Sequence, residues 1–257
     1  MTAGEPQEPR PHRRSQVRRV SWCSPPERKP LIDRPLVFVH GTRTSADIWS
    51  AQVVAMGLSG HDCVAVDLPG HGTRASERFT LAGALETIDR AVDGCTSPPL
   101  LVGLSLGGYS ALAYAADHQD KLAGVLVSGC STEVRGKPLT AYRRVSHQIA
   151  RLLRPSGGTW HVVTDMLAAL SGHSVLGDLR RILVPVWLVN GRLDPLRFEE
   201  RRFLAARPGT FLTVVPGAGH DVNTHAPIAF NRVLLDALQH LRAPRLRPAR
   251  SAASPAT

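Results

Sequence analysis

Ser105 lies in the run LLVGLSLGGYSALAY, with Gly103 two residues before it and Gly107 two residues after. A serine hydroxyl is a weak nucleophile near neutral pH unless a base takes its proton, and the base works best when a carboxylate orients it. Both partner types stand downstream: Asp194 in Asn-Gly-Arg-Leu-Asp-Pro and His220 in Pro-Gly-Ala-Gly-His-Asp. A serine placed after an aliphatic run and before a helical pattern fits a turn so sharp that its two glycines nearly collide. Holding a serine in such a turn costs about 1–3 kcal/mol, which a purely structural turn has no reason to bear. The helix start behind it offers partial positive charge and backbone donors to a developing oxyanion, with the Leu106 N–H first in line. A second donor is needed, and the N–H of Thr42, in His40-Gly41-Thr42, is the candidate. His40 itself is expected to hydrogen-bond and shape that loop.

Other residues compete for these roles. Glu133, just past an apolar run that ends near Ser128, is a second carboxylate to weigh beside Asp194. Asp221 adjoins His220, but neighbours in a loop point apart, so it is expected to be a solvated charge. His71 and His225 serve as bases only if the loop geometry is unusual. The chain has no HxH pair and no HExxH, so no metal and no cofactor are expected.

The elements that must carry these residues alternate in type. Compact apolar runs over 35–39, 63–66, 100–102, 124–128, 184–189 and 212–215 predict strands, and a weaker one spans Gln16 to Trp22. Helical patterning covers Asp47 to Leu58 with Ser45 or Asp47 as cap, then Leu81, Leu85, Ile88 and Val92. It returns over Leu106 to His118 and Ile228 to Leu241. Short apolar strands spaced by amphipathic helices call for a mostly parallel central sheet with helices on both faces, whose ligands bind at the carboxyl ends of the strands. Each candidate residue follows a predicted strand. Residues 131–180 interrupt the rhythm with two helical faces, one through Leu139, Tyr142, Val145, Ile149 and Leu152, the other through Trp160, Val163, Leu167 and Leu170. This is expected to be a small helical insertion lying over the strand ends as a lid. Arg143, Arg144, His147, Arg151 and Arg154 then form its solvated outer face.

Charge is unevenly spread. The formal net charge of +10 comes mostly from the ends: residues 1–34 hold eight Lys/Arg against four Asp/Glu, and residues 242–257 hold four Arg against none. Both ends are proline-rich, so residues 1–15 and 242–257 are expected to be disordered basic arms around one domain spanning 16–241. No specific nucleic-acid partner and no membrane span follow from this pattern. Arg13-Arg14 is followed by no apolar export segment, and a cytoplasmic location is expected. Cys23, Cys63, Cys95 and Cys130 are scattered singly, which excludes zinc-knuckle spacing and predicts reduced thiols. Oligomeric state is not legible in the sequence.

Five motifs in sequence, HGT at 40, DLPGHG at 67, GLSLGG at 103, NGRLD at 190 and PGAGHD at 216, carry a resemblance. Across residues 16–241 the chain resembles an α/β-hydrolase-fold serine hydrolase of the small, lid-bearing, esterase-like type. The resemblance implies Ser105 as nucleophile, Asp194 as acid and His220 as base, with Thr42 and Leu106 supplying the oxyanion hole. It implies hydrolysis of a small-molecule carboxylic ester through an acyl-enzyme. A lactone, a thioester, a carbon–carbon bond or a cofactor-free perhydrolase reaction uses the same groups, and a non-hydrolytic binding protein is the reading from another class. The oxyanion motif is HGT and not the HGGG of one lipase branch, and a serine nucleophile disfavours the dehalogenase and epoxide-hydrolase relatives. Thr73-Arg74-Ala75 separates the DLPGHG turn from Ser76, which puts Arg74 at the entrance or on the surface.

Overall fold

Six short apolar segments pair into one parallel sheet, the four central ones buried along their whole length. They are β1 (Leu36–Val39), β2 (Cys63–Val66), β3 (Leu100–Leu104), β4 (Gly124–Ser128), β5 (Val186–Gly191) and β6 (Phe211–Val215). The sheet order is β2-β1-β3-β4-β5-β6, and every pairing is parallel. The computed structural model describes residues 34–135 and 160–242. The expected strand at Gln16–Trp22, the arm at 1–15, the first insertion face with its arginines and the chain beyond Arg242 lie outside the described residues.

Side chains alternate between two cores because successive strand residues face opposite ways. Val37, Val39, Leu101, Val125, Val127 and Leu188 bury against one set of helices; Leu36, Phe38, Leu100, Val102, Leu126 and Val189 bury against the other. The second face is closed by Trp49, by Met56 of α1 (Ser50–Leu58) and by Phe230 and Leu234 of the long final helix Pro227–Arg242. On the first face lie α2 (Leu81–Asp93), α3 (Leu106–His118), α4 (Trp160–Ser171) and α5 (Val175–Arg181). Two short helices, α6 (Glu200–Ala206) and α7 (Val222–His225), precede that final helix, α8.

Start signals follow side-chain chemistry. Thr80 Oγ1 accepts the Gly83 N–H at 3.0 Å to open α2, and Ser174 Oγ accepts the Gly177 N–H at 3.1 Å to open α5. Ser45, of the two proposed caps, opens a 3₁₀ turn over Ala46–Trp49 that leads into α1.

Several details differ from expectation. β5 begins at Val186 and ends at Gly191 instead of spanning 184–189. Pro185 brings no N–H to the ladder, and polar Asn190 extends the strand because its side chain is buried against Ser131 and Glu200. The apolar face of α4 is rotated: Val162 and Met166 bury together with Leu167 and Leu170, and Val163 is only half-buried. Val175, Leu176 and Leu179 of α5 share a core cluster with α3, although their positions fall inside the stretch read as an insertion.

Paired register brings the strand ends level. Val39 lies opposite Val66 and Gly103, Leu104 opposite Ser128, and Ser128 opposite Val189. The loops that follow the strands therefore share one rim of the sheet.

Candidate active site

Ser105 occupies the link between β3 and α3, with φ 50° and ψ −112°. A positive φ in a non-glycine residue is sterically costly, and Arg43 is the only other described non-glycine residue to adopt one. The turn holds because its neighbours lack side chains: a Cβ on Gly103 would meet the Gly107 carbonyl, and one on Gly107 would meet the carbonyls of Val39 and His40. Ser105 N–H donates to the Ser128 carbonyl at 2.8 Å, which ties the elbow to the tip of β4. Serine at a helix N-cap ordinarily accepts a bond from the first turn, yet the Ser105 side chain makes no such bond. The Gly107 and Gly108 amides that such a cap would take therefore escape capture by that hydroxyl.

Asp194 and His220 meet at the same rim. Asp194 follows β5 and caps the 3₁₀ turn Pro195–Arg197, its Oδ1 accepting the Leu196 N–H at 2.8 Å. The same oxygen accepts His220 Nδ1–H at 3.1 Å. This bond fixes the tautomer, leaving Nε2 with a lone pair to accept a proton. Burial pulls the His220 pKa down, but the hydrogen bond and negative charge of Asp194, with Asp221 adding, outweigh it; the net shift is above the ordinary imidazole value. Gly129, at φ 63°, gives the imidazole its place: a Cβ there would stand 2.9 Å from His220 Cε1. Gly129 directly follows Ser128, so serine and imidazole are both referred to the tip of β4. The loop holding His220 is anchored behind by Asn223, whose Nδ2 donates to the Ile48 carbonyl at 2.9 Å and whose carbonyl accepts Gln52 Nε2–H at 3.1 Å.

The loop after β1 is shaped by His40. Its Nδ1–H donates to the Gly41 carbonyl at 2.8 Å, and its Nε2 accepts the Leu68 N–H at 3.0 Å. Full burial drives the His40 pKa down to about 4, so the ring stays neutral and holds both bonds at physiological pH. Asp67 adds a second tie across the loops by accepting the Ala46 N–H at 2.8 Å. Thr42 Oγ1 donates to Met166 Sδ at 2.9 Å, which brings α4 against the same loop. Two further contacts on that face of α4 reach the loop after β2: Val162 packs beside Gly70, and Asp165 pairs with Arg78, whose Nε donates to Oδ2 at 2.6 Å.

The competing residues are engaged elsewhere. The Glu133 carboxylate accepts the Leu176 N–H at 2.9 Å and the Val175 N–H at 3.3 Å, so it caps α5. His71 Nδ1–H donates to the Pro69 carbonyl at 3.0 Å within a buried contact with His40, and His225 Nδ1 accepts the Gly219 N–H at 3.1 Å. Arg74 is held in a bidentate pair with Glu77 and donates to Thr87, so the structure gives it a place against α2. Asp221, expected to be a bystander, is half-buried and contributes charge to His220. Among the described residues no group of three or more His, Cys, Asp or Glu is gathered as a metal site requires. Sequence reading missed Gly129 and Met166; the glycine had a signal, since it directly follows a strand, and the methionine had none.

The sheet, the elbow and the loop order are those of a known family, and the profile described as "Alpha/beta hydrolase family" matches residues 36–233. The chain belongs to the alpha/beta hydrolase family. Within that family it is similar to the pimeloyl-[acyl-carrier protein] methyl ester esterase of Xanthomonas campestris pv. campestris, at 30% identity over 213 residues, 76% of this chain and 83% of that protein. The protein of the same name from Photorhabdus laumondii is 33% identical over 99 residues, a match that spans 38% of this chain and only 36% of that relative. The crystal structure of an enol-lactonase from Burkholderia xenovorans LB400 superposes with a TM-score of 0.66 over 80% of this chain and 92% of that one; at 20% identity this is a likeness of fold.

Proposed function

We propose that this α/β hydrolase cleaves a carboxylic ester of a small molecule, with Ser105 as nucleophile, His220 as base and Asp194 as the group that orients it. The observation that carries the reading is the His220 Nδ1–Asp194 Oδ1 bond of 3.1 Å, at the rim where Ser105 is held at φ 50° without capping its helix. His220 Nε2 takes the Ser105 proton as the hydroxyl oxygen attacks the ester carbonyl. The oxyanion that forms accepts from the amides of Thr42 and Leu106, both on the rim around the elbow. The imidazolium, stabilised by Asp194, returns its proton to the departing alcohol. Water, deprotonated by the same nitrogen, then releases the acid. His220 must be neutral to begin this cycle, so the rate falls as pH drops through its raised pKa. Relatives named as methyl ester esterases support an ester as the scissile bond. Among the described residues no helix is long and apolar enough to cross a membrane.

Ser105→Ala tests the reading. The variant is expected to keep the circular dichroism and melting behaviour of the parent and to turn over a short p-nitrophenyl ester about 10⁴-fold or more slowly. A fluorophosphonate probe is expected to label Ser105 in the parent and nothing in the variant. Unchanged ester turnover by the variant removes Ser105 from the mechanism.

A further inference from the structure

Three consecutive residues after β4 hold the loop that carries Asp194. The Ser131 hydroxyl and the Asn190 side-chain amide exchange hydrogen bonds at 2.9 and 3.1 Å. Thr132 Oγ1–H donates to the Leu196 carbonyl at 2.6 Å, and the Glu133 N–H donates to Glu199 Oε2 at 2.8 Å. These bonds grip the chain on both sides of Asp194. Ser131, Thr132 and Asn190 are fully buried, so water does not compete for the partners.

The middle bond reaches nearest the chemistry. Leu196, whose carbonyl Thr132 holds, donates its own N–H to Asp194 Oδ1 at 2.8 Å. That is the oxygen that accepts His220 Nδ1–H. A path of three hydrogen bonds therefore runs from the Thr132 hydroxyl through Leu196 and Asp194 to the imidazole. Removing the hydroxyl leaves a buried carbonyl without its donor, and the loop must shift or admit water to satisfy it. Any such shift moves the Leu196 amide and with it the carboxylate oxygen that sets the tautomer and the raised pKa of His220.

We propose that Thr132 is a positioning residue for proton transfer, acting through Leu196 to hold Asp194 Oδ1 against His220. The proposal rests on the reading of Ser105, Asp194 and His220 as the reacting groups. It adds to that reading a residue whose hydrogen bond reaches Asp194 through Leu196. The carboxylate beside it, that of Glu133, caps α5 instead.

Thr132→Val keeps the shape of the side chain and deletes the donor. Steady-state hydrolysis of p-nitrophenyl butyrate, followed across the range in which imidazole titrates, is expected to show kcat lowered on the order of tenfold with KM within about twofold. Because Asp194 raises the His220 pKa, a loosened Asp194 lets burial pull it down, and the acid limb of kcat/KM moves to lower pH. Thr132→Ser, which restores a hydroxyl at the same atom, is expected to return both kcat and the limb toward the parent. If Thr132→Val does not accumulate as folded protein, Thr132→Ala reads the same two quantities. A lower melting temperature with kcat and the acid limb unchanged would falsify the proposal and leave Thr132 a packing residue. Failure of Thr132→Ser to restore the limb also overturns it. Fluorophosphonate labelling of the parent separates the layers: if Ser105 is not labelled, both readings fall together, and if it is labelled while the limb stays fixed, only the Thr132 proposal fails.

Discussion

The elbow at Ser105 and the docking face of α4 border the same loop after β1, but they are held by different means. At the elbow, backbone lies against backbone: the Cβ positions of Gly103 and Gly107 are already filled by carbonyl groups of the elbow itself and of the β1 end. No rotamer change relieves a clash there. At α4 the contacts are made by the ends of side chains, with Val162 on Gly70, Asp165 on Arg78 and Met166 on the Thr42 hydroxyl. Such contacts break and reform one at a time. The contrast is between a serine turn fixed by steric exclusion and a helix held by the ends of side chains.

Substitutions test that contrast at decreasing scale. The largest effect is expected for Asp194→Asn, which keeps the shape of the acid loop but removes the charge facing His220; kcat should fall about 10³- to 10⁴-fold with little change in melting. Glu133→Gln is its control, because that carboxylate serves α5: ester turnover should stay near the parent while stability drops by about 1 kcal/mol, read by urea unfolding. A collapse of turnover in Glu133→Gln with parent-like Asp194→Asn would exchange their roles. Next is Gly107→Ala, which drives a methyl into the carbonyls of Val39 and His40 and should cost more than about 3 kcal/mol or prevent folding. A Gly107→Ala protein with parent stability would mean that the elbow yields as easily as α4. The smallest effect belongs to Asp165→Asn. Its partner Arg78 is exposed, so water screens the pair, and kcat/KM should change less than about threefold. A hundredfold loss there would make α4 as rigid a part of the site as the elbow.

Strands and α3 were legible because a strand buried on both faces leaves an uninterrupted apolar run, and because glycine spacing marks a turn that only glycine permits. The limits appear at particular residues. Asn190 is polar yet buried in β5, so hydropathy ended that strand two residues early. The helices α6 and α7, of seven and four residues, are too short for a periodic signal. At the rim, Asp194, Glu133 and His220 stand out because each follows a strand, but position alone did not say which carboxylate faces the imidazole. That depends on cross-loop bonds such as Thr132 to Leu196 and Glu133 to Leu176, between residues 64 and 43 apart in the chain. No local pattern encodes them. The Thr42–Met166 contact spans 124 positions and was invisible for the same reason.

Sheet order has a further consequence. Ser105 rises from β3, which has a strand on each side, whereas the chain reaches His220 from β6, which among the described residues pairs with β5 alone at the margin. Marginal strands detach at a lower free-energy cost than interior ones. Warming should thus carry the imidazole away while the serine turn still stands, so that catalytic power fades ahead of the cooperative melt and returns on cooling.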